Sequence, residues 1–349
     1  MDDHNRYRSI YGSVRSRLPS SLRMLLSRAV YRLRRRPVYH VNAAKNGIRD
    51  LELGTVIFTA DFELAWAWRF DRDPKHKMID LCSAERENIS LILEKLETLR
   101  IPMTWAIVGH LFLDHCEKVN NKAHREMPRP NFFKNNLWSF MSGDWYDGDP
   151  CSDAAHGPEW YAPDLIKSII NTRVKHEIAC HSFSHIGFKE NYCPAELARA
   201  ELKQCADIMA GWGLKPVTMV FPGDEAGHFS LLTEYGYKCM RYFPDDDAEI
   251  SMPFRTNHGL WAFPVASNIV PDDEWNSRYI LWRLKKCVDK AIKKKALCHF
   301  WFHPSISQER IDEVLFPVMD YCAQKRKENK LKIKTMAGVM DSLEKQCAG

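Results

Sequence analysis

"HEIACHSFSH", residues 176–185, decides how the chain is read. A short apolar run ends at Cys180, and His181 and His185 follow it, four residues apart. With 14 His in 349 residues, such a spacing arises readily by chance, and a second pair, His299 and His303, stands in "CHFWFH". The local backbone must therefore separate a metal site from coincidence. If the chain turns helical after His181, residues i and i+4 share a face and the two imidazoles can act together. "LCHFWFH" is aromatic and reads as extended. Four residues of strand span about 13 Å at roughly 3.3 Å each, so His299 and His303 cannot grip one ion together.

Outward from this stretch the chain alternates between two periods. "GTVIFTAD", "IPMTWAIVGH", "HEIACH", "KPVTMVFPGDE", "YKCMRYF", "LWAFPV", "ALCHFWFHP" and "LKIKT" read as strands. Between them lie helical patterns: "SAERENISLILEKLETLR" with Ser83 as cap, "APDLIKSIINTRV", "PAELARAELKQCADIMAGWG", "HFSLLTEYG", "SRYILWRLKKCVDKAIKKK" and "ERIDEVLFPVMDYCAQKRKE". Repeated strand–helix units in one large domain predict parallel βα architecture, and a distorted (β/α) barrel accommodates them better than two small domains. Polar residues fall at the C-terminal ends of the strands: Asp61 and Glu63, His181, Pro222-Gly223-Asp224, and His303. In such barrels that end carries the active site.

Two imidazoles and one carboxylate are a common three-ligand set for a catalytic metal, leaving a position for water. Asp61 and Glu63, two apart in "TADFE", can both lean into one cavity. One would be a ligand and the other the general base, with His303 as the general acid. The stretch 114–163, rich in Asn, Trp, Asp and Pro, is long for a connection and is expected to form a substrate-facing lip carrying Trp145 and Asp149.

These motifs resemble those of the NodB-homology polysaccharide deacetylases, carbohydrate esterase family 4. "TADFE" is similar to that family's strand-end carboxylate pair, "HSFSH" to its H-S/T-x-x-H motif and "CHFWFHP" to its late strand ending in His-Pro. "IPMTWAIVG" resembles the strand after its first helix. The resemblance spans roughly residues 52–345. It implies a NodB-type barrel, one divalent ion with zinc the expected metal, and hydrolysis of N-acetyl or related amides on an amino sugar. It assigns Asp61 as base, Glu63, His181 and His185 as ligands, and His303 as acid. Two features depart from the family. Phe62 separates the carboxylates, and the Arg-x-Pro-Tyr motif is absent, "FPGDE" standing in its place. Arg69 or Arg241 is then the candidate to steady the base. A deformylase or a metal-independent ureide hydrolase on the same barrel, and a non-catalytic carbohydrate-binding relative, are the alternatives.

The formal charge of +5 is unevenly spread. Residues 1–36 hold ten Arg against Asp2 and Asp3, a charge of +8, leaving −3 for the rest. Residues 19–37 predict an amphipathic helix with Leu22, Leu25, Leu26, Ala29, Val30 and Leu33 on one stripe, suited to a membrane surface or to the barrel wall. Residues 1–50 are read as a basic N-terminal segment and 51–349 as the catalytic domain. Nucleic-acid binding is not expected, because no aromatic interleaving accompanies the Arg. Eleven Cys without a C-x-x-C, and no apolar export segment, lead to an expected cytoplasmic location, peripheral to the membrane's inner face. The expected substrate is accordingly a lipid- or nucleotide-linked glycan precursor.

Overall fold

The computed structural model describes residues 51–73, 77–243, 250–269 and 276–348, so the helix predicted at 19–37 lies outside the described residues. Ten strands form one sheet: β1 (Gly54–Phe62), β2 (Thr104–Ile107), β3 (Glu177–Cys180), β4 (Thr218–Met219), β5 (Cys239–Tyr242), β6 (Phe254–Arg255), β7 (Trp261–Pro264), β8 (Ser267–Asn268), β9 (Leu297–Phe302) and β10 (Leu331–Ile333). The order is β6-β7-β5-β4-β3-β2-β1-β9-β8, with β10 also paired to the start of β1. Every pairing is parallel except β6–β7. The strand next to one end of this order and the strand at the other end belong to one continuous segment. Its first half, β7, pairs with β5, and its second half, β8, pairs with β9. Between them Val265 N–H donates to Tyr242 O and Ala266 N–H to His299 O, both at 2.8 Å. One segment thus pairs with both flanks of the sheet, and the curl becomes a distorted barrel.

The period of two sorts side chains between inside and outside. On β1, Val56, Phe58, Ala60 and Phe62 join the large core beneath the helices, while Ile57 joins a second cluster with Trp261, Leu297, Met336 and Leu343. Thr59 and Asp61 continue the Ile57 face upward. On β9 the same alternation sends Cys298, Phe300 and Phe302 outward and aligns Leu297, His299 and Trp301 on the other face. Gly54 opens β1 because the helix Ser277–Lys294 passes over it. A Cβ there would lie 2.7 Å from the backbone of Ile292.

The N-terminal ends of the strands are closed by the last helix, Met336–Ala348. Its Ala337 N–H donates to Glu177 at the start of β3 (3.0 Å), and its Met336 N–H donates to Thr104 Oγ1 at the start of β2 (3.0 Å). The first long helix differs from expectation: it runs Met78–Leu99, so Ser83 lies inside it and caps nothing. The helix after β9 begins at Gln308 and contains a π-helical turn at Ile311–Leu315, just ahead of Pro317, whose ring nitrogen has no hydrogen to donate. Among the described residues no helix is long and apolar enough to cross a membrane.

Candidate active site

Parallel strands deliver their C-terminal ends to one side of the barrel, and there the predicted groups meet. Asp61 is the penultimate residue of β1, Glu63 follows that strand, His181 follows β3 and His303 follows β9. Glu63, His181 and His185 are all buried. Glu63 Oε1 lies 2.8 Å from His181 Nε2 and 3.0 Å from His185 Nε2. Its other oxygen is 3.5 Å from His303 Nε2, whose side chain keeps 31% exposure and so opens the cluster to solvent.

Backbone geometry explains why a spacing of four brings these imidazoles together. The chain leaves β3 through Ser182 (φ 53°) and reaches His185 at φ 58°, a left-handed course that is not a helix. Two buried carboxylates from the following helices hold the loops that carry Glu63 and the two histidines. Glu201, on Ala195–Gly211, accepts from Phe183 N–H (2.7 Å), Ser184 N–H (2.8 Å) and Ser184 Oγ (2.6 Å). Glu85, on Met78–Leu99, accepts from the N–H of Glu63 (3.0 Å) and of Leu64 (3.2 Å), whose φ is 48°. Such contacts offset the cost of positive φ at residues with side chains. Sequence reading missed both, because an acidic residue inside a helix ordinarily faces water.

The donor set fits a divalent ion. His181 Nδ1 lies 2.8 Å from the carbonyl of Val220, which can only accept, so Nδ1 carries the hydrogen and Nε2 presents its lone pair. A lone pair 2.8 Å from a carboxylate oxygen requires a positive charge between them, either a second proton or a metal. Burial alone would raise the Glu63 carboxyl. The charge of His303 and the contacts of His185 and His181 outweigh it and hold the group well below its usual range. Burial likewise opposes the charge on His181, but Glu63 and Asp61 prevail and raise it. Burial wins at His185, pushing it down to about 4.

Arg241 on β5 steadies the candidate base. It meets Asp61 bidentately, Nη1 to Oδ1 at 2.5 Å and Nη2 to Oδ2 at 2.6 Å, and both residues are buried. Its guanidinium also stands 4.9 Å from the Trp301 ring and 3.5 Å from Asp224. Arg69, the other candidate, works elsewhere. It lies between the rings of Trp66 and Trp145 and donates to Ser184 O at 2.9 Å, bracing the histidine loop.

The weaker sequence candidates divide. Pro222, Gly223 and Asp224 form a turn after β4 whose Asp224 joins the Arg241 system. Gly223 has φ 56°, and a Cβ there would run into the Trp138 ring; that indole stands edge-on to His185 at 5.2 Å. Trp145 and Asp149 do not join this group. Trp145 is buried and donates to Ser184 Oγ at 2.8 Å. Asp149 is buried in a separate cluster with His110, Cys116 and His124. Within the insert, the ladder Phe133–Lys134/Ser139–Phe140 brings Trp138 to the edge of the site.

No family profile matches the sequence, and no curated protein matches it. Solved structures do. A protein described as a polysaccharide deacetylase from Mycobacterium smegmatis superposes with a TM-score of 0.56 at 15% identity, covering 88% of this chain and 95% of its own. One described as a polysaccharide deacetylase from Pseudomonas aeruginosa PAO1 gives 0.52 at 13% identity, over 80% of this chain and 87% of its own. Puue allantoinase gives 0.52 at 12% identity, over 81% and 87%. The chain therefore shares the distorted (β/α)-barrel fold of these solved deacetylases and of the allantoinase, with its polar groups gathered at the C-terminal strand ends.

Proposed function

We propose that this protein is a metal-dependent hydrolase that removes an N-acetyl or similar acyl group from an amino sugar. The observation that carries the reading is the convergence of Glu63 Oε1 with His181 Nε2 and His185 Nε2 beside an Arg-clamped Asp61. A divalent ion held by those three ligands, with zinc the expected metal, supplies Lewis-acid polarisation of the acyl carbonyl and a more acidic water. Asp61 accepts the proton of the attacking water, and Arg241 fixes the direction of its lone pairs. Trp68 and Trp301 stand edge-on to His303 at 6.1 and 5.2 Å, holding its ring where Nε2 can hand a proton to the departing amine. In this reading Pro222, Gly223 and Asp224 border the sugar, supported by the 3.5 Å approach of Asp224 to Arg241.

The substrate class is a lipid- or nucleotide-linked precursor rather than an exported polymer. Ten free cysteines among the described residues, eight of them buried, suit a reducing compartment in which such precursors are assembled. The stripe and arginines of residues 19–37 favour the lipid-linked case, with peripheral, salt-sensitive attachment to anionic headgroups. Hydrolysis of another C–N bond, as in a formamide or ureide, is the second reading and draws on the likeness to allantoinase.

Acetate release tests the proposal. Zinc-loaded full-length protein is assayed on nucleotide-linked, polyprenyl-linked and polymeric N-acetylhexosamines, with formylated sugars and allantoin in parallel. Acetate from a linked precursor is expected. Turnover only of allantoin or the formamide establishes the second reading, and no turnover of any substrate overturns both. Flotation of the full chain with anionic vesicles at low salt, lost in a chain starting near residue 40, tests the membrane arm. If both chains stay unbound at every salt, the helix does not serve a membrane.

A further inference from the structure

A second cluster of ligating side chains lies away from the proposed catalytic centre. His110, Cys116, His124 and Asp149 bring one ligand atom each to within 4.8 Å of all the others. Three of these atoms form a nearly equilateral triangle: His110 Nε2, His124 Nε2 and Asp149 Oδ2 are mutually 3.0 Å apart. Cys116 Sγ stands 3.3 Å from Asp149 Oδ2. His110, His124 and Asp149 are buried, and Cys116 is half-buried.

Protons account poorly for this triangle. His110 Nδ1 lies 3.2 Å from the carbonyl of Trp160, which fixes its hydrogen there and turns the Nε2 lone pair inward. Asp149 Oδ1 is already served by Tyr161 Oη (2.8 Å) and Cys151 N–H (2.9 Å), leaving Oδ2 for the cluster. A hydrogen on His124 Nε2 can point squarely at only one of its two acceptors. A cation satisfies every lone pair at once. Tetrahedral zinc with Zn–N of about 2.0–2.1 Å and Zn–S of about 2.3 Å sets its nitrogen and oxygen ligands about 3.3–3.4 Å apart and its sulfur about 3.6 Å from them. The triangle of His110, His124 and Asp149 needs to open by only a few tenths of an ångström, and Cys116 Sγ, within 4.8 Å of all three atoms, is within reach of the fourth corner.

The backbone is shaped for the purpose. Cys116 and His124 flank a hairpin in which Lys118–Val119 pair with Lys122–Ala123. Asn120 (φ 52°) and Asn121 (φ 60°) make its turn, the left-handed pair that a tight two-residue hairpin requires. Arg129 locks the exit by donating to the carbonyls of Ala123, His124 and Met127, each at 2.7 Å.

We propose that His110, Cys116, His124 and Asp149 bind a structural zinc ion, distinct from the catalytic metal, that fastens the insert to the barrel. Four protein ligands in a buried site leave no open position for a substrate. The neighbourhood gives the ion a task. Gly109 N–H donates to Ser182 O (2.8 Å) and His110 N–H to Phe183 O (3.0 Å), so the segment carrying His110 is stitched to the loop carrying His181 and His185. Ligation at His110 would tie the insert directly to the catalytic ligand loop.

The test uses the full chain carrying His181→Ala with His185→Ala, which removes two catalytic ligands and leaves the second cluster whole. After dialysis against a weak chelator, elemental analysis should find about one zinc per chain where the unmodified protein holds about two. Replacing zinc by cobalt(II) should produce a thiolate-to-cobalt charge-transfer band in the near ultraviolet, which the nitrogen and oxygen ligands of the catalytic site cannot give. Adding Cys116→Ala should abolish the band and the remaining ion. A metal-free double variant, or cobalt bound without the band, overturns the proposal whatever the catalytic centre proves to do. Thiol titration showing Cys116 oxidised onto its neighbour Cys151 overturns it as well. If Cys116→Ala does not fold, the cobalt spectrum of the double variant decides alone.

Discussion

The pairs His181/His185 and His299/His303 have the same spacing and opposite uses. In the first, left-handed turns at Ser182 and His185 fold the chain back, and both Nε2 atoms reach one carboxylate oxygen. In the second, the strand carries the histidines to different depths. His299 is fully buried beside Thr59, with Nε2 3.0 Å from Oγ1, whereas His303 sits past the strand end near Glu63. Burial pushes His299 down to about 3, so it is a neutral packing element, while His303 keeps contact with solvent. Four residues of spacing thus bring two imidazoles onto one carboxylate oxygen in a turn, and set one buried and one solvent-touching imidazole in a strand.

Removing the first pair should have the largest effect. His181→Ala with His185→Ala should lose the catalytic ion and bring hydrolysis to background. Persistence of metal-dependent turnover in that variant breaks the assignment of these ligands. Next comes the pair formed by Asp61 and Arg241. Asp61→Asn should retain catalytic metal and lose about 10²–10⁴-fold in kcat. Near-normal turnover would move the base elsewhere. Arg241→Lys keeps the charge and loses the bidentate fork, so a smaller loss in kcat with little change in KM is expected.

The second pair predicts a contrast between rate and stability. His303→Gln should lower kcat, with little change in the unfolding midpoint. His299→Gln should act mainly on stability. Its folded value of about 3 lies below the unfolded value of about 6.5. The unfolded chain therefore takes up a proton that the folded chain refuses. His299's contribution is complete above about pH 6.5 and is lost as pH falls, by up to about 1.4 kcal/mol per pH unit, until the folded group titrates near 3. Urea melts between about pH 6 and about pH 4 should show a shallower slope for His299→Gln than for the unmodified chain. Equal slopes would mean that His299 already carries its proton in the fold.

The smallest change should come from the supports. Glu201→Gln keeps the shape but weakens the hold on Phe183 and Ser184. A loss of metal affinity of about 10–100-fold is expected, read by competition with a chromophoric chelator. Unchanged affinity would show that Arg69 and Trp145 hold the loop without it.

The succession of strands and helices, the placement of reactive groups at strand ends and the contrast between the two histidine pairs were legible in the sequence, because they rest on periods of two and 3.6 and on the reach of an extended chain. The supporting carboxylates were not. Glu85 and Glu201 sit in helical patterns where charge normally means solvent, and only packing against Glu63 and Ser184 reveals them as buried. Trp145 and Asp149 looked like lip residues for the same reason: sequence counts aromatic and acidic side chains but not what covers them. The nearest signal to the second cluster was "CEKVNNKAH", ligands at both ends of an Asn-Asn turn, with the other two ligands distant in the chain.

Sequence by itself determined which residues could do chemistry and the end of the barrel at which they would gather, since side-chain direction along a strand is local. Only the tertiary structure decided that Arg241, from β5, would clamp Asp61 in place of an arginine after β4. Strands adjacent in the barrel can exchange such a role because a long side chain spans the gap between them. That choice is made by distances between segments 180 residues apart, and no local pattern encodes it.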